Sequence, residues 1–323
     1  MLRNRRTLLV VTLIASWWFE ASAMVTRQQN TNQSSSSTAS DPRIASTTEH
    51  AKQGDPKAEY QLGWSFVTGT SVPQNYKEAV TWLQKSAQQN YPDAEFALGY
   101  LYEQGKGVKR NYRDALNYYT AAAEQGHTIA QNNVGSMYER GEGVHKDLGK
   151  AAEWYRRAAS EGEFVAACNL ATLYFRGKGV PRDYSEAATW FGAAAKRGYP
   201  PAQEDLAWMY YTGTGVNLDF SEAAKWVRRA AELGYAPAQL DLGYLYEQGK
   251  GVQLDHVAAY MWYKTAADSG ERRAAAQLKT LASVMTDAQI KQAVSDAAKL
   301  KLSTPTFAGG SQSSIGSLWL PPR

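Results

Sequence analysis

The sequence predicts an all-α fold: an α/α solenoid of about six 36-residue helix-turn-helix repeats, closed by C-terminal capping helices. Three observations predict it. The eleven residues LGYLYEQGKGV from Leu98 to Val108 return unchanged from Leu242 to Val252, 144 positions on, which is four periods of 36. Ala58, Ala94, Ala130, Ala166, Ala202, Ala238 and Ala274 recur at that period without an insertion. So do the turn glycines Gly69, Gly105, Gly141, Gly177, Gly213 and Gly249. A strict period of this size marks stacked supersecondary units, none of which can bury its apolar face alone.

Taken in order, residues 1–23 read as a signal peptide. Arg3, Arg5 and Arg6 precede an apolar run from Leu8 to Phe19, and Ala21-Ser22-Ala23 is an A-x-A cleavage pattern. The run is short of the roughly 20 residues a membrane-crossing helix needs. The expectation is an exported protein, periplasmic or secreted, with anchorage through an uncleaved signal as the alternative. Residues 24–48 are dominated by Ser, Gln, Asn and Thr and read as a disordered tether. The solenoid and its cap are expected over residues 49–301, and a disordered Gly/Ser/Pro tail over 302–323 with an apolar knot at Leu318, Trp319 and Leu320.

Within each repeat the first helix carries Ala, then Leu and Gly four and five positions later, then an aromatic residue at eight. Ala58, Leu62, Gly63 and Phe66 return as Ala94, Leu98, Gly99 and Tyr102. These spacings place Ala, Leu and the ring on one helical face, and the Gly leaves room for a close neighbour. The Gly turn ends the helix, and Val72, Val108, Val144, Val180, Val216 and Val252 follow it as plugs between the paired helices. Asn75, Asn111, Asp147, Asp183, Asp219 and Asp255 then cap a second helix, with Glu78, Glu186 and Glu222 at the capping-box position. Its buried face is read as one ring among small residues, as in Ala151, Trp154, Ala158, Ala159 or Ala223, Trp226, Ala230, Ala231. Burying such a Trp is worth about 3 kcal/mol or more. Gly126, Gly162, Gly198, Gly234 and Gly270 end the second helix, Asn90 doing so in the first copy, and Pro92, Pro200 and Pro237 restart the next unit. After Glu271 the pattern fades into Ala274, Leu278 and Leu281, then a capping box at Thr286 and Gln289 opens a last amphipathic helix.

The composition narrows the function. A net charge of +4 falls to about +2 without residues 1–23, and no basic block remains, which argues against nucleic acid. The single cysteine, Cys168, forms no internal disulfide. The four histidines, His50, His127, His145 and His256, lie in separate repeats without metal-ligand spacing. Lys106 is followed by Gly107, not the Ser or Thr of a phosphate loop, and no Ser-x-x-Lys motif occurs. No catalytic residue, cofactor or metal is expected.

The unit A-x3-LG-x2-Y-x2-G-x-GV-x2-[DN]-x3-A-x2-W-x3-AA-x2-G resembles the Sel-1-like repeat, a relative of the tetratricopeptide repeat, over about residues 50–280. The resemblance implies a right-handed superhelical solenoid whose first helices line a concave face, and a role as an adaptor or scaffold for a protein or peptide. Some exported relatives carry a disulfide in each repeat, and this chain lacks those cysteine pairs. Others are described as acting on β-lactams, so by family analogy alone the alternative is a cell-wall or β-lactam-directed hydrolase. The positions equivalent to residues 60, 64 and 67 lie opposite the Ala/Leu/aromatic face, and by the same analogy point into the concavity. They supply the candidate partner-binding residues Tyr60, Trp64, Phe96, Tyr100, Phe175, Trp208, Tyr211 and Tyr244, with a polar centre around Asn132 and Ser136. The partner expected is a protein or peptide, not nucleic acid, with no stable membrane span once the signal is removed. The knot at Leu318–Leu320 is a possible intramolecular stopper of the groove.

Overall fold

A computed structural model describes residues 42–300 and 302 of the chain. The expected signal peptide, most of the tether and the tail with its apolar knot lie outside the described residues. These contain fifteen α-helices and no strand, in two compact units that divide between Glu161 and Gly162. Unit 1 holds α1 (Pro42–Lys52), α2 (Pro56–Thr68), α3 (Tyr76–Gln88), α4 (Pro92–Gln104), α5 (Tyr112–Glu124), α6 (Thr128–Arg140) and α7 (Leu148–Ser160). Unit 2 holds α8 (Phe164–Arg176), α9 (Tyr184–Lys196), α10 (Pro200–Thr212), α11 (Phe220–Glu232), α12 (Ala236–Gln248), α13 (His256–Asp268), α14 (Ala274–Ala282) and α15 (Asp287–Lys299). Inside each unit, every first helix of a repeat packs on its own second helix, and that second helix packs on the next first helix.

Local chemistry sets the boundaries. Gly105, at φ 70°, ends α4 in the left-handed region and returns its N–H to the Leu101 carbonyl, and the equivalent glycines do the same in the other repeats. Asn75, Asn111, Asp147, Asp183, Asp219 and Asp255 each accept backbone N–H groups at the start of the second helix. The Glu half of the expected capping box is used otherwise: Glu186 accepts the Trp190 indole N–H at 3.1 Å, and Glu222 pairs with Lys225 at 2.6 Å. A complete box forms at Thr286 and Gln289. Asn90 takes φ 58° where the later copies have Gly.

The second glycine of the loop has a different task. A Cβ on Gly107 would strike the carbonyl of Tyr76, the first residue of the preceding second helix; Gly143 meets Tyr112, and Gly251 meets Phe220, in the same way. The loop of each of these repeats is therefore seated on the helix start of the one before it. In the first copy Ser71 takes this place, at φ 62°, where no earlier second helix of a repeat exists.

Two expectations are corrected. The tether, read as running to residue 48, stops short of Pro42, because α1 begins there. Ile44 and Ala51, seven residues apart, share one face of α1 and are buried with Ala58 and Leu62. Two apolar residues in a polar run were too sparse to reveal a helix. The second correction concerns the ring buried by the second helix. Trp226 is buried as expected, but Trp154 is half-buried under the Arg157 guanidinium, 4.6 Å from its ring. Its neighbour Tyr155 is the side chain sealed in the core, as are Leu83, Tyr119, Phe191, Val227 and Tyr263 at the same place in the other repeats.

Candidate functional site

That sealed position fixes what the first helix can carry opposite it. Where it is tyrosine, a glycine faces the ring: a Cβ on Gly99 would lie 2.5 Å from Tyr119, on Gly135 2.8 Å from Tyr155, and on Gly243 2.5 Å from Tyr263. The phenol also needs an acceptor, since a buried hydroxyl without one costs about 1–3 kcal/mol. It donates to a glutamate sixteen residues earlier: Tyr119 to Glu103 at 2.8 Å, Tyr155 to Glu139 at 2.8 Å, Tyr263 to Glu247 at 2.5 Å. Burial raises Glu103 above the usual carboxylate range, against the Tyr119 hydrogen bond and the Arg140 guanidinium at 3.4 Å. In the fourth and fifth repeats the sealed side chains are Phe191 and Val227, with Ala171 and Ala207 in place of the glycine. Neither needs an acceptor, and the glutamate position becomes Phe175 and Tyr211.

The eight candidate residues consequently divide by unit. In unit 1, Tyr60 stacks on Trp64, ring centres 6.5 Å apart, and on Tyr91 at 5.4 Å, all three half-buried. Phe96 and Tyr100 lie in the core instead, 7% and 5% exposed. Phe96 packs on Tyr119 at 5.7 Å and on the His127 ring at 4.4 Å, and the Tyr100 hydroxyl accepts from Lys106 Nζ at 2.9 Å. The polar centre expected at Asn132 and Ser136 is also closed to solvent. Successive first helices pack along the row of residue 60, so that row forms their joint and not an open face.

In unit 2 the remaining four come together. Phe175 meets Trp208 edge-on at 5.6 Å and Tyr184 at 5.2 Å; Tyr211 meets Phe220 at 5.1 Å and hydrogen-bonds with Tyr244. Lys250 donates to the Tyr211 hydroxyl at 2.9 Å, its ammonium 4.9 Å from that ring and 5.2 Å from Phe220. Phe175, Trp208, Tyr211 and Tyr244 are all half-buried. They form an aromatic band along the first helices of the fourth to sixth repeats. Tyr184, Phe220 and Lys250 belong to this band but were not among the candidates, because they come from second-helix starts and a loop. The period repeats them but does not place them beside the first-helix rings.

Beneath the band, Glu204 and Asp241 are fully buried on α10 and α12. Cys168 is buried in α8. Among the described residues no group of three or more His, Cys, Asp or Glu side chains could hold a metal ion, and no helix is long and apolar enough to cross a membrane.

Comparison with known proteins adds the following. A family model described as Sel1 repeat matches six consecutive segments, residues 56–91, 92–127, 128–163, 165–199, 200–235 and 236–271. No curated protein matched the chain. Among solved structures it is similar to c5321, a protective antigen present in uropathogenic Escherichia coli strains displaying an SLR fold, at 30% identity and TM-score 0.74. That match covers 88% of this chain but only 62% of the antigen, so the chain spans under two thirds of that protein's length. It is also similar to a Sel1 repeat protein from Oxalobacter formigenes, at 30% identity and TM-score 0.63, over 79% of this chain and 98% of the other.

Proposed function

Because this chain belongs to the Sel1 repeat family, whose members generally mediate protein–protein interaction and are typically non-catalytic scaffolds, we propose that it is a binding scaffold for a protein or peptide segment. The contact surface in this reading is the aromatic band of unit 2. One observation supports it above the rest: Phe175 and Tyr211 leave ring surface open at a position where the other repeats carry a glutamate or the buried Val67, and Trp208 and Tyr244 extend that surface along α10 and α12. Half-open rings held by their neighbours give a partner large contact area at little ordering cost. No observation favours the hydrolase alternative.

Export belongs to the same proposal. It is supported by the basic, apolar and A-x-A sequence of residues 1–23, and it fits the Escherichia coli relative's being a protective antigen. Mass measurement of the mature N-terminus tests it; a chain retaining Leu2 to Ala23 refutes it.

The binding reading is tested by probing a random peptide library with the wild-type protein and with Trp208→Ala/Tyr244→Ala. Selective capture by wild type, lost by at least about tenfold in the variant (~1.4 kcal/mol) with an unchanged helical melt, is the expected result. Capture that survives both substitutions refutes the assigned surface.

A further inference from the structure

Glu204 on α10 and Asp241 on α12 face each other across successive first helices, within hydrogen-bonding reach. They are 1% and 0% exposed, and none of the four carboxyl oxygens receives a hydrogen bond from any N–H or O–H of the described protein. Four buried acceptors without a donor are a costly arrangement as two anions.

The surroundings do not relieve it. Asp205, from α10 itself, adds negative charge, and Tyr263 of α13 is a neutral phenol whose proton is given to Glu247. Ahead of α14 stand Glu271 and Arg273. The Arg273 guanidinium acts on the pair from a distance, but its Nε and Nη2 are committed to the two Glu271 oxygens at 3.0 and 3.1 Å. The donor that would satisfy both carboxyls is a proton held between them.

We propose that Glu204 and Asp241 share one proton at neutral pH, a carboxylic acid donating to a carboxylate, and that this proton locks α10 to α12 in a pH-sensitive joint. The inference goes beyond the binding reading and does not depend on it. Trp208 and Tyr244 sit one helical turn further along these same two helices, so the lock lies directly under the aromatic band.

Burial, followed by the mutual repulsion of the acids, pushes Glu204 well above the usual carboxylate range, and burial pushes Asp241 up to about 7. The sign follows from linkage. The folded pair holds protons that the unfolded chain has shed above pH ~4, so their stabilisation is complete below that pH and declines above it: one proton leaves as pH rises through about 7, and the shared one is held until pH passes the higher value of Glu204. For one shared proton, the folding equilibrium constant falls by about tenfold per pH unit across this window.

The test uses the full chain. Urea unfolding is followed by circular dichroism and tryptophan fluorescence from pH 5 to 8 for wild type, Glu204→Gln and Asp241→Asn. Infrared spectra in the carboxyl region are recorded for the same proteins at pH 7. In either variant an amide N–H donates to the remaining carboxylate without titrating. The expected result is a wild-type midpoint that falls with rising pH more steeply than the variants' midpoints. A protonated-carboxyl absorption should also be present in wild type and lost in both variants. Groups elsewhere that titrate cancel in the wild-type-minus-variant difference. Variants that keep the full wild-type slope, or a wild type without the protonated-carboxyl band, overturn the proposal. If one variant does not fold, the wild-type-minus-variant infrared difference for the other decides.

Discussion

Unit 1 and unit 2 are made from the same 36-residue unit but fill the slot between paired helices differently. The third to fifth copies show the contrast best. In unit 1, Gly135, Glu139 and Tyr155 form a polar solution: a large ring against a bare backbone, its hydroxyl tied to a carboxylate. In unit 2, Ala171 with Phe191 and Ala207 with Val227 form an apolar solution that asks nothing of the opposite helix. The position released from accepting a hydrogen bond is the one that carries Phe175 and Tyr211. The aromatic band is thus a by-product of core chemistry: an interior without a hydroxyl leaves a surface residue free to vary. The last repeat of unit 2 returns to Gly243, Glu247 and Tyr263, and there the surface position is again glutamate.

The largest effect that probes this contrast comes from emptying the slot. Tyr155→Ala and Phe191→Ala are each expected to cost about 3–5 kcal/mol, the tyrosine change more, because it also leaves Glu139 without its donor. Chemical denaturation measures both, and identical losses would break the comparison. A sharper probe exchanges the two solutions. Phe191→Tyr places a hydroxyl where Phe175 offers no acceptor and should cost about 1–3 kcal/mol. Adding Phe175→Glu should recover most of that loss, which a double-mutant cycle reads directly, while peptide capture weakens. Absence of recovery would mean that the tyrosine and glutamate are not coupled through the slot. Next come the caps, where the units should behave alike. Asn111→Ala and Asp219→Ala each remove an oxygen about 3 Å from a backbone N–H, and each should cost about 1 kcal/mol.

The smallest expected effect concerns acid. His127 caps α6 by accepting the Ala130 N–H on Nδ1 at 3.1 Å, so it must be neutral there, and burial holds its pKa below the ordinary value despite Asp93 at 3.6 Å. The unfolded chain takes up a proton first as pH falls below about 6.5, and this contribution to unit 1 is lost in the same direction. The protection factor at Ala130, the exchange rate corrected for its intrinsic pH dependence, should fall with acid by less than about tenfold per pH unit. The Glu204–Asp241 joint of unit 2 responds with the opposite sign. Protection factors that move together in the two places would remove that distinction.

The repeat boundaries, the helix caps, the left-handed glycines and the proline starts were legible in the sequence, because each depends on one residue and its immediate backbone. The interior of the repeat was less so. Trp154 and Tyr155 are neighbours about 100° apart on a helix, and periodicity alone does not decide which one faces inward without the position of the facing helix. A signal was present, since tyrosine at the sealed position always accompanies glycine twenty residues earlier and glutamate sixteen earlier, but it spans two helices. The candidate surface was half legible. The sequence reading put the row of residues 60, 64 and 67 opposite the Ala/Leu face, yet Phe96 of that row packs on Tyr119, the ring that Gly99 faces, and adjoining first helices consume the outer part of it. That consumption buries Phe96, Tyr100 and Glu204, while Tyr60, Trp64, Trp208 and Tyr244 stay half-buried beside Phe175 and Tyr211, which the slot releases.

The seating of Gly107 on the Tyr76 carbonyl, and of Gly251 on that of Phe220, has a consequence for how such a chain can change its length over generations. The second, third, fifth and sixth copies each carry a socket that fits the copy before. Duplication or loss of a whole period leaves every remaining joint matched, whereas a gain of one residue inside the loop would unseat it. The protein can therefore grow or shrink only in whole steps.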